Sequence, residues 1–304
     1  MYLFLGGLTA GVMVFAAVMA LLRKDEEAPF ASKQLALLAP IILSAGMTTL
    51  FLDLEHKLYV FRFYTAFQVT SPMSWGAWIL LLIYPVATLQ ILSTLRSGFP
   101  ITAPWVDRWS ITKAIVDWCE NHRRQVALVA VPSAIALGIY TGILLSAFSA
   151  RPFWNSGVLG PLFLVSGLST AAALVALISR EKAEKALFTR IDLALIAAEL
   201  ALVGLFLVSL ATGSAQHIEA LQAVTGGPYT MVVWVLFVGI GLVIPLLLEM
   251  LEMRGYAKSI AVIAPVLVLI GGYALRQVMV DVGQESTWTD YGTQYSSELL
   301  ERME

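Results

Sequence analysis

Residues 231–248 read MVVWVLFVGIGLVIPLLL, which is eighteen residues in a row without a charged side chain. About 20 apolar residues are long enough to cross the ~30 Å hydrocarbon core of a bilayer as an α-helix. Lipid offers the backbone no hydrogen bonds, so a stretch of this length must satisfy its own as a helix. Eight such spans are predicted, at 2–22, 36–54, 75–95, 125–148, 157–179, 191–212, 231–252 and 259–278. The protein is therefore predicted to be an all-α integral membrane protein.

The composition leads to the same fold class and limits the chemistry. Hydrophobic residues make up 59% of the chain and charged residues 13%, against roughly 25% charged in ordinary soluble domains. The single cysteine, Cys119, cannot form a disulfide within the chain or supply the roughly four thiolates of an iron–sulfur cluster. The three histidines fall in loops or at helix ends, so we expect no haem and no metal site on this chain. Membrane lipid, and not nucleic acid, is the expected environment.

Lysine and arginine are distributed unevenly between the two sides of the predicted bundle. Fourteen of the 19 lie in the loops after the first, third, fifth and seventh spans, and the other five lie on the opposite side. Cytoplasmic loops carry the excess of positive charge in membrane proteins. Both termini are therefore predicted to lie outside. We expect a multi-pass protein of the bacterial inner (cytoplasmic) membrane whose opposite face meets the periplasm.

The protein is predicted to divide after the fourth span. Residues 1–148 would form a first four-helix bundle that contains the candidate site, 149–278 a second four-helix bundle, and 279–304 a polar and aromatic tail outside the membrane. The cytoplasmic loop 96–124 contains APWVDRW at 103–109, which is typical of an interfacial helix with tryptophan at headgroup depth. The tail is either a disordered end or a strip that docks on a partner at the outer surface.

Polar residues gather near the outer ends of several predicted spans. Taken singly, each has an ordinary structural explanation, because an acid can end a helix, an arginine can reach the interface and a tryptophan can belong to the aromatic belt. Taken together they supply what a quinol site needs, namely hydrogen-bond partners for the ring oxygens and an acid or imidazole that takes protons. The predicted quinone-binding residues are Tyr140, Asp53, Glu55, His56, Ser74, Trp75 and Arg276.

A second set of ionisable residues lies deeper in the predicted bundle. Glu199 falls inside the sixth span, and Asp192 precedes it by two helical turns on roughly the same face. An ionisable side chain inside the membrane is a functional hypothesis by default. One interpretation is a proton path from the cytoplasm through Asp192 and Glu199, and the other is a neutral Glu199 that is hydrogen-bonded to a neighbouring helix. Glu249 and Glu252, at the end of the seventh span, are expected to be interfacial only.

Seven short motifs, in the same order along the sequence, resemble the NrfD/PsrC family of membrane subunits. They are Tyr2-Leu3-Phe4-Leu5-Gly6-Gly7 with Ala10-Gly11; Asp53-Leu54; Ser71-Pro72-Met73-Ser74-Trp75-Gly76; Tyr140-Thr141-Gly142 with Leu144-Leu145-Ser146; Pro161-Leu162-Phe163 with Ser166-Gly167; Gly241-Leu242-Val243-Ile244-Pro245; and Gly271-Gly272 with Arg276 and Gly283-Gln284. Family members serve polysulfide reductase and formate-dependent nitrite reductase systems. The resemblance therefore implies a haem-free subunit with eight helices that exchanges electrons with menaquinone or ubiquinone near the outer face.

The same resemblance implies partners and roles for individual residues. A ferredoxin-like iron–sulfur subunit would dock at the outer face, and beyond it would lie a molybdenum-containing or multihaem catalytic subunit. Tyr140 is then the best quinone ligand, with Asp53 and Glu55 as nearby acids. The family often has Arg-Pro or a similar pair after the Asp-Leu of span 2, and here Glu55-His56 stands in that place. His56 is therefore a candidate proton acceptor that the family pattern does not supply.

Two functions remain open at the level of sequence. The leading one is a quinone-interacting membrane anchor of a multi-subunit respiratory oxidoreductase. The alternative is a secondary transporter or proton-translocating module without a redox role, in which Asp192 and Glu199 would be the coupling groups. Broken helices at mid-membrane favour a transporter, and the prolines of this protein within the spans are isolated. A mixed version, with quinone chemistry coupled to proton movement through Glu199, combines the two.

Overall fold

The computed structural model describes residues 1–65, 67–254 and 262–286, and over those residues the protein is helical with no β-strand. Eight long helices are apolar enough to cross a membrane, so the predicted all-α membrane fold is confirmed. They are α1 (Tyr2–Leu21), α2 (Leu38–Asp53), α3 (Pro72–Leu92), α4 (Arg123–Ser146), α5 (Leu159–Ile178), α6 (Lys182–Ala211), α7 (Val232–Met253) and α8 (Ile263–Glu285). The first part of α7, Val232–Val243, has π-helical hydrogen bonding.

The bundle has two ends, and we name them by α1. The end where α1 begins is the upper end, and the end where α1 finishes is the lower end. The charge bias predicts that the upper end faces outside, and this orientation stays a prediction. The first residues of the predicted span 259–278 lie outside the described residues, and so does the tail strip at 287–304.

Helices α6 and α8 are longer than the apolar stretches that predicted them. α6 begins at Lys182, where the predicted span began at 191, because a helix can continue through charged residues once it has left the lipid. α8 continues to Glu285, beyond the predicted end at 278. Its last carbonyl groups have side-chain donors, since Arg151 donates to the carbonyls of Gln284 (2.5 Å) and Ser286 (3.0 Å). Such donors satisfy the carbonyls that a helix end leaves without an intrahelical partner.

Helices α1 and α5 cross at the centre of the bundle. α1 packs against α2, α4 and α5, and α5 packs against α1, α4, α6 and α8, while α3 lies on α4 and α7 lies on α8. The crossing is close because both helices carry glycine there. A Cβ on Gly167 would lie 2.6 Å from the carbonyl oxygen of Gly7, and one on Gly11 would overlap the carbonyl of Gly167. Small residues of this kind allow two helices to approach backbone to backbone. The division into two separate four-helix domains stays a prediction.

The lower end carries an amphipathic helix on the loop between α3 and α4. The segment predicted as an interfacial helix, 103–109, forms only the short helix Ala103–Val106, and the longer helix Ser110–Asn121 follows it. The reason lies in Arg96, which forms ion pairs of 2.7 Å with Asp107, Asp117 and Glu120. These pairs fold the second helix back beneath α3, while Trp105 and Trp109 stay largely exposed.

Candidate functional site

A narrow cavity of about 230 Å³ opens at the upper end between α1, α2, α3 and α4. Three tyrosines line this cavity. The other lining residues are apolar, and one of them, Gly76, has no side chain. We call it the tyrosine slot, after Tyr2 on α1, Tyr140 on α4 and Tyr64 on the short helix Arg62–Thr65. The full lining is Tyr2, Leu3, Met47, Leu50, Phe51, Leu54, Val60, Tyr64, Met73, Gly76, Ala77, Leu80, Tyr140 and Leu144.

Tyr140 is buried and Tyr2 and Tyr64 are half-buried, and the three phenol groups form no hydrogen bond with a described residue. Tyr2 and Tyr140 lie on the neighbouring helices α1 and α4, and both line the slot. Burial raises the pKa of Tyr64 above its ordinary value, so this phenol keeps its proton at neutral pH. Buried hydroxyl groups almost always have a hydrogen-bond partner. Three phenol donors at one apolar cavity are therefore suited to a ligand that brings its own hydrogen-bond acceptors.

Gly76 on α3 fixes where the Tyr140 ring lies. A Cβ at Gly76 would lie 2.5 Å from Cε1 of Tyr140, and it would be nearer still to Cζ and to the hydroxyl oxygen. The ring is therefore seated directly on the backbone of α3, in a place that only glycine leaves free. Tyr140 itself is 7% exposed, and its hydroxyl group is held at the wall of the slot by this contact.

A second cavity, of about 470 Å³, lies beside the slot and is more polar. We call it the vestibule; it is lined by Leu54, His56, Tyr59, Arg62, Gln68, Ser71, Met73 and Ser74. Leu54 and Met73 line both cavities, so these two side chains form the wall between them. Of the residues predicted from sequence, Tyr140 thus lines the slot, while His56 and Ser74 line the vestibule.

The remaining predicted residues lie apart from the slot. Asp53 and Glu55 are exposed at the upper end of α2 and line neither cavity. Trp75 is 52% exposed, and its indole nitrogen donates to the carbonyl oxygen of Val69 at 2.6 Å. Arg276 is only 2% exposed and lies between α1, α5 and α8. Their roles as quinone ligands stay predictions.

Arg276 is held by four acceptors. Its guanidinium donates to the carbonyl oxygens of Gly272 (2.8 Å), Phe163 (3.1 Å) and Leu3 (3.2 Å) and to the hydroxyl of Ser166 (3.0 Å). Gly7 makes room for it, since a Cβ there would lie 2.6 Å from Nη2. A buried arginine that is bonded to several backbone carbonyls is fixed in position. It lies next to the slot, because Leu3 is also a slot residue.

A row of buried carboxyl groups leads away from Arg276 towards the lower end. Glu199 is near enough to Arg276 to interact with its charge, and it is hydrogen-bonded to Ser166. Asp192 accepts a hydrogen bond of 2.6 Å from Ser169 and lies near Glu249 on α7. One oxygen of each carboxyl group meets no other donor among the described residues.

Glu249 differs from its expected interfacial position, since it is 2% exposed. The lower part of α7, Ile244–Met253, packs against α6 and turns this residue towards Asp192. The prediction from sequence did not single out Tyr64, on the short helix Arg62–Thr65, or the contact of Gly76 with the ring of Tyr140. Tyr2 could have been predicted as a site residue, because it is a tyrosine at the first position of a span.

The comparisons with known proteins agree with this architecture. The eight membrane-crossing helices found among the described residues, four of which enclose a tyrosine-lined cavity, define a polytopic membrane protein. The family described as polysulphide reductase, NrfD, matches residues 1–286, and the protein belongs to that family.

Individual relatives are similar over nearly the whole sequence. The C subunit of polysulfide reductase from Wolinella succinogenes is 27% identical over 295 residues, which cover 93% of this protein and 92% of the relative. Protein NrfD of Escherichia coli is 28% identical over 296 residues, with the same coverage of 93% and 92%. The NrfD homolog of Haemophilus influenzae is 27% identical over 300 residues, again covering 93% and 92%.

Proposed function

We propose that this protein is the quinone-interacting membrane subunit of a respiratory reductase complex. Membership of the NrfD family and the near-complete alignment with the C subunit of a polysulfide reductase support a membrane subunit of such a complex. The tyrosine slot supports the finer statement that it binds a quinone. The observation that carries the proposal is the set of three phenol donors, without bonded acceptors among the described residues, around one apolar cavity.

A quinone head group fits the chemistry of the slot. Its ring is flat and apolar, and its two carbonyl oxygens accept hydrogen bonds. The slot offers apolar walls and three phenol donors, Tyr140 from α4, Tyr2 from the neighbouring α1, and Tyr64 from the short helix Arg62–Thr65. Pockets for small ligands typically measure about 300–1,000 Å³, and a slot of about 230 Å³ suits a ring whose isoprenoid tail lies outside in lipid. Menaquinone and ubiquinone both meet these requirements.

Oxidation of a quinol supplies two electrons and two protons, and the protons must leave the slot. The phenols of Tyr2 and Tyr140 can donate hydrogen bonds to the oxygens of the quinone ring. They cannot take up its protons, because the ordinary pKa of tyrosine is about 10 and each phenol already carries its own proton. His56 lies in the adjoining vestibule, and imidazole is the side chain that most often accepts protons in catalytic sites. Asp53 and Glu55 lie beyond it in solvent. We infer that protons pass from the slot to His56 and then to these acids at the upper surface.

The electrons must pass to or from another protein, since this subunit is expected to hold no redox centre. We propose a ferredoxin-like iron–sulfur subunit at the upper end, where the slot opens, and a molybdenum-containing or multihaem catalytic subunit beyond it. The upper end would then face the periplasm of a bacterium, in keeping with the positive charge at the lower end.

We further propose that the buried carboxyl row conducts protons. Asp192, Glu199 and Glu249 lie within the apolar part of the bundle, joined by Ser166 and Ser169. Groups of this kind inside the membrane mark proton relays. The row starts near the lower end at Glu249 and reaches Arg276, which bonds to the slot residue Leu3. This placement favours coupled quinone and proton chemistry over a transporter that has no redox role.

Replacement of Tyr140 by phenylalanine tests the quinone site. In the assembled complex, Tyr140→Phe removes one donor and keeps the ring on Gly76, so we expect quinol-dependent turnover to fall roughly tenfold. Titration of a menaquinol analogue, followed by tryptophan fluorescence, should show weaker binding. Tyr273→Phe is the matched control, because Tyr273 is a partly exposed tyrosine on α8 that bonds only to Gln277 among the described residues. Wild-type turnover in Tyr140→Phe would remove this role, and no quinol binding by an intact complex would favour the transporter.

The proton path has a separate test. Glu199→Gln keeps the shape of the side chain and abolishes its charge. We expect proton uptake by vesicles to be lost while quinol oxidation persists. Glu252→Gln is the control, since Glu252 lies near Glu249 but is partly exposed. Unchanged proton uptake in Glu199→Gln would refute the path and leave the quinone site untouched.

A further inference from the structure

An apolar groove of about 300 Å³ runs along the lower half of the bundle, where α1 meets α5 and α6. Its walls are aliphatic and aromatic side chains, such as Val18 and Leu22 from α1, Leu168 from α5, and Leu187 and Ile191 from α6. A single charged residue, Lys24, lines it at the lower end. The groove is therefore long, apolar and open to lipid, with a cation at one end.

Arg23 beside this mouth has an unusual backbone. It has φ of 54°, and among the described residues it is the one position other than glycine with a positive φ. The amide of Lys24 bonds to the carbonyl of Met19 (3.1 Å), and the amide of Arg23 bonds to that of Ala20 (3.3 Å). Helices often finish this way, but glycine or asparagine normally occupies the left-handed position. An arginine there carries backbone strain that a glycine would avoid.

The side chains of Arg23 and Lys24 are available to an anion. Arg23 is exposed and has no ion pair or side-chain hydrogen bond with a described residue. Lys24 pairs with Glu27 at 2.6 Å, but Glu27 is 65% exposed and such pairs contribute little. The next acid along the sequence, Asp25, is engaged by two hydrogen bonds from Arg123 (2.8 and 3.0 Å). Glu26 is exposed to solvent.

We propose that the groove binds one phospholipid, with an acyl tail along α1, α5 and α6 and the phosphate held by Arg23 and Lys24. The aliphatic walls match an acyl tail, and the two adjacent cations match a phosphate at headgroup depth. Basic sites between helices on the positive side of a membrane protein recognise lipid headgroups. The lipid would contact α1 from the first four helices and α5 and α6 from the last four, and so would hold the two sets together. The strained Arg23 keeps a cation where the headgroup lies.

The experiment uses the purified complex in a non-ionic detergent. Phosphatidylglycerol, phosphatidylethanolamine, diacylglycerol or inorganic phosphate is added, and unfolding temperature and bound lipid are measured by tryptophan fluorescence and native mass spectrometry. Both phospholipids should raise the unfolding temperature and remain bound. Diacylglycerol lacks the phosphate, and inorganic phosphate lacks the acyl tail, so neither should do so. An equal effect of diacylglycerol or of inorganic phosphate would overturn the proposal.

Two variants make the test specific to this groove. Arg23→Gly removes the cation and relieves the backbone, so the lipid-free protein should unfold at the same temperature as wild type or higher. Its affinity for phospholipid should nevertheless fall about fivefold, as expected for one lost cation near a membrane surface, and Lys24→Gln should weaken binding similarly. Arg254→Gln, at the lower end of α7, is the control and should bind like wild type. Wild-type lipid affinity in both Arg23→Gly and Lys24→Gln would refute the site.

Discussion

Gly76→Ala should disable the tyrosine slot although it adds only one methyl group. The added Cβ would lie 2.5 Å from Cε1 of Tyr140 and nearer still to its hydroxyl oxygen. Distances below 3.0 Å are essentially absent from real Cβ contacts. Tyr140 is nearly buried and α3 is packed on α4, so neither the backbone nor the ring can yield without cost. The ring must move into the slot or the two helices must separate.

The size of the effect follows from the displacement. A ring shift on the order of 1 Å is needed to relieve the overlap, and misplacement of a positioning group by that distance can lower a rate by about 100-fold. This corresponds to about 2.7 kcal/mol of transition-state stabilisation. We therefore expect Gly76→Ala to lower quinol turnover more than Tyr140→Phe does, since it displaces the ring as well as the donor. The assay is the initial rate of quinol oxidation or quinone reduction by the assembled complex, with size-exclusion chromatography to verify assembly.

Two further variants isolate the cause. Gly204→Ala on α6 is the matched control, because an added Cβ there meets no atom within 4 Å and alanine is the better helix former. Its turnover should equal that of wild type. In a Tyr140→Ala background the clash is gone, so Gly76→Ala should have little additional effect, as a double-mutant cycle would reveal. Full activity of Gly76→Ala, or an effect of equal size without the Tyr140 ring, would refute the reasoning.

Three other predictions concern stability. Glu184→Ala should destabilise the protein by about 2–4 kcal/mol, because the buried carboxylate accepts hydrogen bonds from the amides of Ala31 (2.7 Å) and Phe30 (3.3 Å) and from Ser179 (2.6 Å). Thermal unfolding measures the loss, with Glu181→Ala, at an exposed position, as the control. Equal stability of the two variants would contradict the prediction. Arg123 lowers the pKa of Asp25. The stabilisation of the folded protein by this ion pair is therefore present above the unfolded pKa of about 3.9 and is lost as pH falls through the lower folded value. Asp25→Asn should thus lower the unfolding temperature at pH 7, with the difference from wild type shrinking below pH 4, and a pH-independent difference would show that the ion pair is not its cause. Gly11→Val should force α1 away from α5 at the carbonyl of Gly167 and reduce the yield of folded protein in detergent, while the same change at Gly204 should not.

The membrane fold could be predicted because lipid leaves few alternatives. A stretch such as 231–248 has no stable place in water and only one secondary structure in a bilayer, so the number of spans follows from hydropathy alone. The ends of α6 and α8 could not be predicted in this way. They lie beyond the lipid, where a helix continues for as long as local contacts support it, as Arg151 does for the end of α8. Those contacts come from residues distant in sequence.

The candidate site was only partly predictable, because polarity is the main signal that a membrane sequence offers. Asp53 and Glu55 stand out as acids at a span end, yet exposed acids at that depth are solvated and need no explanation. Tyr140 is singled out by the family resemblance. The sequence does not single out Tyr2 or Tyr64. The slot forms only when four long helices and the short helix Arg62–Thr65 pack together, and no local sequence pattern predicts it. In the sequence, Gly76 is one of many small residues. Its role becomes clear only from the structure, where the ring of Tyr140 packs directly on its backbone.

The tyrosine slot and the carboxyl row lie in different sets of helices, and Arg276 lies between them, bonded to Leu3 of the slot and to Ser166 beside the row. Its guanidinium bonds to Leu3 in the wall of the slot and lies beside Glu199 at the end of the row. A buried cation without a counter-charge is strongly unfavourable, so protonation of Glu199 leaves Arg276 in need of negative charge. Negative charge that develops in the slot would supply it. The affinity of Glu199 for a proton and the charge in the slot are then linked, and by reciprocity each must change the other. In the proposed function, Arg276 is therefore the residue through which the quinone site and the carboxyl row would be coupled.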